Sequence, residues 1–573
     1  MSRQGKNIYL ASAVIMAMLP HSGLIAQQKG IDTIQVNVVT RYKPTIHDAV
    51  KIDSNPATAD TIHISRKVKY NFVNTQYPTF YTPPSIPALQ IKGEPVEPLF
   101  HSLLEAGVGN YNTLYGEYFF NSVRSQNTDY GFHLNHLSSE YTTNNYGYSG
   151  YAFNNIDGYL QKFYNQSTLT LNAGFENHVV HDYGYNITEF PSVSDDETRV
   201  GYNLYKGSLE YASAYRDSSK INHDIRLSYY NFGENDYSSY DPSENNVNAD
   251  MRFFTYFNQQ RIDLRIKGEY DDYTYNTPDF DGLGPFAPTS AQTENILFNP
   301  FFSTKEKYWD AHLGINLFAY SSSGGAGSSS EGNMYPDLLV RYHIAQDVVM
   351  IYAGIDGNET LNTYKSLTDK NPFTDPYLPL NYTYTQYHLY GGLTGSITSQ
   401  LTYNADVAQS MIKNMPLFVT DTLAPLKNRF TVVYDNVKVF NIHGDLDYKW
   451  DNNLGIILAG DYNIYTSTYQ LKAWYNPTLK ISATGRYTIQ NKYTLKAELF
   501  YVGSQYAPET VDGVTTAKTL SGYLDLNLGV DYKCNKAFTA FLNLNNIANV
   551  AYYTWDNYEM ERFNFLIGIR FGF

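Results

Sequence analysis

Between Arg261 and Tyr270 the chain alternates without a break. Ile262, Leu264, Ile266, Gly268 and Tyr270 share one parity, and Arg261, Asp263, Arg265, Lys267 and Glu269 share the other. Period two is the signature of a β-strand, whose successive side chains point to opposite faces. A face of charged side chains cannot enter a dry core without partners, yet it can line a wet lumen. The same split recurs downstream. Leu479, Ile481 and Ala483 oppose Lys480, Ser482, Thr484 and Arg486; Tyr493, Leu495, Ala497 and Leu499 oppose Thr494, Lys496 and Glu498; Leu524, Leu526, Leu528, Val530 and Tyr532 oppose Asp525, Asn527, Gly529 and Asp531. A soluble sandwich also alternates, but the alternation continues over more chain than a single sandwich holds, and no repeat period marks a propeller. The pattern predicts an all-β fold: a transmembrane antiparallel β-barrel whose strands show lipid at every second residue.

The connections support a strand count. Short ones fall at Arg124–Asn127, Asn165–Gln166, Asp217–Ser219, Asn258–Gln260, Ser303–Glu306, Ala345–Asp347, Thr398–Gln400, Asp451–Asn453, Gln490–Lys492 and Cys534–Lys536. Longer ones lie between them, as at Ser139–Ser149, Asp271–Ala291, Ser321–Pro336, Gly357–Tyr382 and Gln409–Val433. Short turns at one end and long loops at the other is the layout of outer-membrane barrels. Ten short turns and eleven loops give about 22 strands over residues 99–573, with both barrel ends on the periplasmic side. The last strand is expected at Phe563, Phe565, Ile567, Ile569, Phe571 and Phe573, all on one face and ending in an aromatic. Such a strand is what the barrel-assembly machinery reads, and in a soluble protein it would be an aggregation edge.

Composition agrees once it is sorted by parity. Mean hydropathy is −0.41, as for a soluble chain, because lipid and lumen faces are averaged together. Aromatics are 16% of the chain and include 56 tyrosines; disordered chains are poor in aromatics, and barrels place them in girdles at the lipid boundary. A net charge of −15 opposes binding to a polyanion, so no nucleic-acid partner is expected. Past the N-terminus no apolar run approaches the roughly 20 residues of a spanning helix.

At the N-terminus, Arg3 and Lys6 precede an apolar stretch from Ile8 to Leu19, and Leu24-Ile25-Ala26 follows. This reads as a signal peptide over residues 1–26, directing export to the outer membrane. The lone Cys534 forms no internal disulfide. Residues 27–98 carry eight of the 23 prolines, which break sheet ladders. They read as a proline-rich segment that is periplasmic or lies in the lumen. Within it, Ile34–Val39 is β-like, either an ordinary short strand or a peptide that adds to a partner's sheet.

The stretch Leu526-Asn527-Leu528 through Leu542-Asn543-Leu544-Asn545-Asn546-Ile547-Ala548-Asn549, with Tyr553 to Phe573, resembles the end of TonB-dependent receptor barrels. Val433-Tyr434-Asp435 and Gly444-Asp445-Leu446 are similar to Bacteroidota members of that group. The resemblance covers mainly the last quarter of the chain. It implies an outer-membrane barrel that carries a solute or nutrient, and it makes Asp32, Thr33, Ile34, Gln35 and Val36 a candidate coupling segment for TonB. Such receptors also carry a globular plug, and no plug-like run of strands stands before residue 99, which leaves energy coupling open.

Other candidates are weaker. His133/His136 and His178/His181 are spaced i, i+3, which on a strand sends the two rings to opposite faces. Asp271, Asp272, Asp279 and Asp281 read as solvated loop acids without the order of a Ca²⁺ loop. Ser321–Ser330 reads as a flexible loop, lacking the Lys-Ser/Thr of a phosphate loop. No Gly-x-Ser-x-Gly elbow is present, so no enzyme, metal or cofactor is expected. Tyr141, Tyr146, Tyr148, Tyr151, Tyr237, Tyr240, Tyr273 and Tyr275 crowd the loops, suited to carbohydrate stacking or protein contact, or to packing that closes the mouth. Two functions remain. One is a channel or transporter selecting by its charged lumen (Arg261, Asp263, Arg265, Lys267, Glu269, Lys480, Arg486, Lys496 and Glu498). The other is a scaffold barrel holding surface or periplasmic lipoproteins. An empty lumen of this width would leak, so residues 27–98 or inward-folded loops are expected to obstruct it.

Overall fold

The computed structural model describes residues 99–573 apart from 124, 216–219, 237–240, 259, 277–287, 325–326, 346–347, 423, 452 and 512. The expected signal peptide, the proline-rich segment with its candidate coupling residues, Tyr237, Tyr240, Asp279 and Asp281 lie outside the described residues.

The strands run in chain order β1 (Ser102–Gly109), β2 (Leu114–Asn121), β3 (Thr128–Ser139), β4 (Tyr151–Phe163), β5 (Ser167–His181), β6 (Arg199–Ser213), β7 (Asn222–Asp236), β8 (Ser243–Phe257) and β9 (Gln260–Asn276). They continue with β10 (Pro288–Lys305), β11 (Trp309–Gly324), β12 (Gly327–Ala345), β13 (Val349–Leu361), β14 (Tyr382–Thr398), β15 (Leu401–Thr420), β16 (Phe430–Trp450), β17 (Leu454–Ser467), β18 (Leu479–Ile489) and β19 (Tyr493–Val502). Then come β20 (Gln505–Val511), β21 (Val514–Leu520), β22 (Tyr523–Lys533), β23 (Phe538–Asn545), β24 (Tyr553–Trp555), β25 (Tyr558–Glu559) and β26 (Asn564–Gly572). Two short helices, α1 (Asp195–Thr198) and α2 (Tyr364–Lys370), sit in loops. Twenty-two strands form one antiparallel sheet; β20–β21 and β24–β25 are separate hairpins.

The sheet closes on itself. β1 pairs with β2 on one side and with β26 on the other, from Leu103↔Gly572 to Gly109↔Leu566. Across that seam Arg570 reaches Glu105, with Nη2 3.2 Å from Oε2. Closure leaves no open edge, which answers the hazard of an apolar terminal strand.

Parity sorts the wall into two faces. On β19 burial alternates at every residue, with Tyr493, Leu495, Leu499 and Tyr501 exposed outward. On β26 the outward set is Phe565, Ile567, Ile569, Phe571 and Phe573, while Arg570 points in. On β9 Ile262 is 53% exposed and Asp263 2%. An outward band of large apolar side chains is a liability in water and is matched by hydrocarbon.

On β3 to β6 a row of polar side chains crosses that outer face. His136, Asn154, Asn177 and Asn203 are register partners on β3 to β6. Asn154 donates to Asn177 Oδ1 at 3.3 Å, and Asn177 donates to Asn203 Oδ1 at 2.9 Å. Leu134, Ile156 and Tyr205 lie close by on the same outer face, on the apolar side or beside the row.

Several strands are longer than the sequence pattern suggests. β15 has 20 residues and β16 has 21, against eight in β1. At about 3.3 Å per residue the long pair extends well past a membrane of about 25 Å apolar height. Two expectations are thereby corrected. Ser321–Ser330 is not a flexible loop; its ends are strand, with Ser321↔Ser330, Ser322↔Ser329 and Ser323↔Ser328 paired. Serines carry no apolar face for the pattern to show, but their backbone ladders as well as any other. Asp271 and Asp272 are not loop acids either: both lie in β9, and Asp271 is buried with its Oδ1 3.0 Å from Asn246 Nδ2.

Candidate functional site

The inner face of β4 to β12 is a charged wall. Asp263 is held by two guanidinium groups, Arg252 Nε at 2.9 Å and Arg261 Nε at 2.8 Å. Arg261 also lies 3.9 Å over the Phe254 ring. Arg265 Nε donates to Asp250 Oδ1 at 2.9 Å, and Lys267 lies 3.3 Å from Glu269. Lys206 bridges Asp157 and Glu176 at 2.8 and 2.5 Å. The face drawn from the sequence as charged is thus a series of ion-paired groups on neighbouring strands. Partners such as Arg252, Asp250 and Lys206 escaped the sequence reading because their own strands alternate less cleanly. Of the other inward candidates, Lys496 pairs with Asp531 at 2.9 Å, and Lys480, Arg486 and Glu498 lie on the same inner parity of β18 and β19.

Three recesses open along this wall. One of about 490 Å³ is lined by Phe119, His133, Asp157, Tyr159, Lys206 and Arg226. A second of about 550 Å³ shares Arg226 and adds Arg252, Arg265, His312 and Asp337. A third of about 280 Å³ shares Arg265 and runs to Glu359. His133 stacks on Phe119 at 4.2 Å, and its Nε2 lies 2.8 Å from Glu117 Oε1. His136 on the next inward–outward alternation faces out, so the pair does not converge; His178 and His181 behave the same way. Among the described residues no group of three His, Cys, Asp or Glu is placed to hold a metal ion.

The mouth is closed by loops. One long excursion is Asn362–Asn381, between β13 and β14. Thr363 caps α2 by accepting from Ser366 N at 3.1 Å. The Glu244 carboxylate on β8 receives Tyr230 OH at 2.7 Å and Lys365 N at 3.3 Å. This satisfies helix donors that have no partner within the helix. Beyond the helix, Tyr202 OH on β6 donates to Pro372 O at 2.7 Å and Tyr273 on β9 donates to Pro376 O.

The same segment touches the far side. Phe430 N donates to Phe373 O at 2.9 Å and Asp375 N donates to Phe430 O at 2.8 Å. Phe373 stacks on Tyr558 at 3.8 Å, and Tyr183 meets Tyr558 edge-on at 4.7 Å. Gly184 is required here: a Cβ on it would lie 2.4 Å from the Tyr558 ring. β7 and β16 stand nine places apart in a ring of 22, so this cluster bridges nearly opposite walls. Tyr183, Tyr202, Phe232, Tyr273, Tyr364, Phe430, Trp474 and Tyr558 are all buried in one apolar core. Of the described tyrosines expected in loops, Tyr151 lies in β4 and Tyr273 and Tyr275 lie in β9, while Tyr141, Tyr146 and Tyr148 are in loops and pack on other rings. Tyr146 meets Tyr553, and Tyr148 meets His181.

At the centre of the lid is Arg429, 15% exposed. Its Nε lies 2.6 Å from Asp182 Oδ2, its Nη2 2.7 Å from Asp236 Oδ2 and its Nη1 3.6 Å from Glu234 Oε1. Asn428 donates to Asp182 O at 2.5 Å and receives Tyr558 OH on its own carbonyl. Burial pushes the Asp182 carboxyl up to about 6 in spite of the guanidinium beside it. Burial also raises Asp375 well above the usual carboxylate range, against Arg429 and with help from Asp421. Sequence reading gave no hint of Arg429, a single arginine between Asn428 and Phe430.

Fold and site together define a closed 22-stranded barrel with an apolar outside, an ion-paired lumen and a mouth covered by its own loops. No protein-family model and no curated protein matches the sequence. Solved structures do match the fold. The ferripyoverdine receptor of the outer membrane of Pseudomonas aeruginosa aligns over 83% of this chain and 72% of its own, with TM-score 0.66 and 12% identity. The FrpB iron transporter from Neisseria meningitidis aligns over 83% and 82%, with TM-score 0.66 and 10% identity. The ferric-catecholate import receptor Fiu from K12 E. coli aligns over 83% and 82%, with TM-score 0.63 and 12% identity.

Proposed function

We propose that the chain is an outer-membrane barrel of the TonB-dependent-receptor type, related to those of Bacteroidota, that passes a solute through a lumen gated by its loops. The observation that carries this reading is the lid: loops from nearly opposite walls meet in one buried core over a charged lumen. The likeness to outer-membrane receptors and metal transporters supports the transport class. The ion-paired wall, with Lys480, Arg486, Lys496 and Glu498 opposite, acts by selecting on charge and not by bond chemistry. Residues 1–26 direct export and residues 99–573 span the membrane. The C-terminal Phe563–Phe573 face engages the assembly machinery. Asp32–Val36 is the point at which TonB would pull.

The second reading, a scaffold that holds lipoproteins and passes nothing, is favoured by how fully the lid is packed. Planar-bilayer recording separates the two. Purified barrel with residues 27–98 deleted is expected to show brief channel openings more frequent than those of the full chain. Silence from both forms, with lipoproteins co-purifying, would establish the scaffold instead. Membrane placement has its own test. Ile567, 52% exposed on the outer face of β26, replaced by Lys should cost about 2–4 kcal/mol in urea unfolding from bilayers. An effect near zero would put that face in water.

A further inference from the structure

Asp182, Glu234 and Asp236 come from the β5–β6 loop and the end of β7, and all three converge on Arg429. Their side chains are at most 4% exposed. For Asp182 and Glu234, Arg429 is the only cation in ion-pair reach among the described residues. From the β13–β14 loop Asp375 faces the same guanidinium, and its carboxyl hydrogen-bonds that of Asp421. Tyr377 donates to Asp421 and Tyr364 to Glu234. Tyr202 and Tyr558 complete the ring of titratable groups around the cluster. Asp182 Oδ1, Glu234 Oε1 and Asp375 Oδ2 are buried without a hydrogen-bond partner.

One guanidinium cannot neutralise this many carboxyls. Like charges packed in a low-dielectric site do not all ionise. A hydrogen bond between two carboxyls itself needs a proton on one of them. The geometry points to a proton-binding site in the lid: the Arg429 cluster takes up protons as the lid closes, and loss of those protons releases it. This rests on the lidded-pore reading given above and adds what controls the lid.

The sign follows from linkage. Asp182 and Asp375 hold protons more tightly in the closed lid than in water, because burial disfavours their charged forms. Their contribution to closure is complete below the ordinary carboxyl range of about 3.9. It is lost as pH rises through about 6 for Asp182 and further up for Asp375. The lid should therefore be tightest in acid and loosen in alkali.

Hydrogen exchange on the full chain in detergent micelles tests this, following peptides that cover residues 363–381 and 421–430 and correcting for intrinsic rates. Protection of both segments should fall about tenfold or more between about pH 5 and about pH 8.5, while β17 to β19 stay unchanged. The double variant Asp182→Asn, Asp375→Asn keeps hydrogen-bonding shape without titrating, so its lid should stay protected at the higher pH. Constant protection of the native lid across this range, or an equal fall in the double variant, overturns the proton site. A lid unprotected even in acid refutes the closed-lid reading itself, which separates the two failures.

Discussion

Replacing Asn362–Asn381 by a two-residue Asn-Gly turn should turn the barrel into an open pore. The wall permits the cut, because Leu361 and Tyr382 are already register partners at the ends of β13 and β14. An Asn-Gly turn suits such a hairpin end. The excised segment carries Tyr364, Leu367 and Leu378, which are buried in the lid core against Tyr202, Phe232 and Tyr273. It also carries Phe373, the ring that stacks on Tyr558 and ties the two sides together. What remain are the contacts of Asn428 and Arg429 with Asp182, Asp236 and Tyr558, while the hold of β6, β8 and β9 on the excised segment is gone. A 22-stranded ring encloses a lumen far wider than side chains can fill. Single-channel conductance should rise about tenfold or more over the native chain when residues 27–98 are also removed. The barrel itself should survive, seen as an unchanged shift on heating in gels. A double deletion that folds and still carries no more current would mean that the lid is not what blocks the lumen.

How much of this was legible in advance follows from the range of the contacts. Strand parity is local: Arg261 and Ile262 declare their faces within one strand, and the short turns punctuate the chain where hairpins need them. Barrel class and strand number could therefore be read directly. The terminal phenylalanines also state their face by parity alone. Length was read less well, since Ser321–Ser330 and Asp271–Asp272 extend strands without any apolar signal. The lid was least legible. Arg429 meets Asp236 across 193 residues and Asp182 across 247, and nothing in Asn428-Arg429-Phe430 marks that residue. The loop tyrosines were visible as an excess, but only the fold shows that they satisfy one another. Among the lumen charges the sequence showed both members of the pairs within β9, Arg261–Asp263 and Lys267–Glu269, but only one member of each pair between strands. The partner halves, such as Arg252 for Asp263 and Asp250 for Arg265, depend on a register that only the sheet fixes.

Arg429→Met should unlatch the lid at neutral pH while leaving the barrel folded. Met keeps an unbranched side chain of comparable reach, so packing changes little and the charge is what goes. Removing one partner of a buried ion pair costs about 3–5 kcal/mol, because the other charges stay behind unpaired. Here more than one stays behind, Asp182, Glu234 and Asp236 together. At 1.4 kcal/mol per factor of ten, the lid equilibrium moves by about two to four orders of magnitude toward open. Trypsin or hydrogen exchange should find residues 421–430 and 363–381 exposed, with wall strands as protected as before. Lys cannot stand in for Arg, since an ammonium lacks the planar fork that reaches three carboxylates at once. Adding Asp182→Asn, Glu234→Gln and Asp236→Asn to Arg429→Met removes the stranded charges. Replacing a whole buried ionic set is often neutral or stabilising, so the quadruple variant should recover most of the closure that the single variant loses. Its lid should keep only the part of the native pH dependence that belongs to Asp375. If the single variant closes as the native chain does, Arg429 is a passive guest in an apolar lid. If the quadruple variant stays open, the guanidinium acts through shape, holding three loops in register, and not through the charges it neutralises.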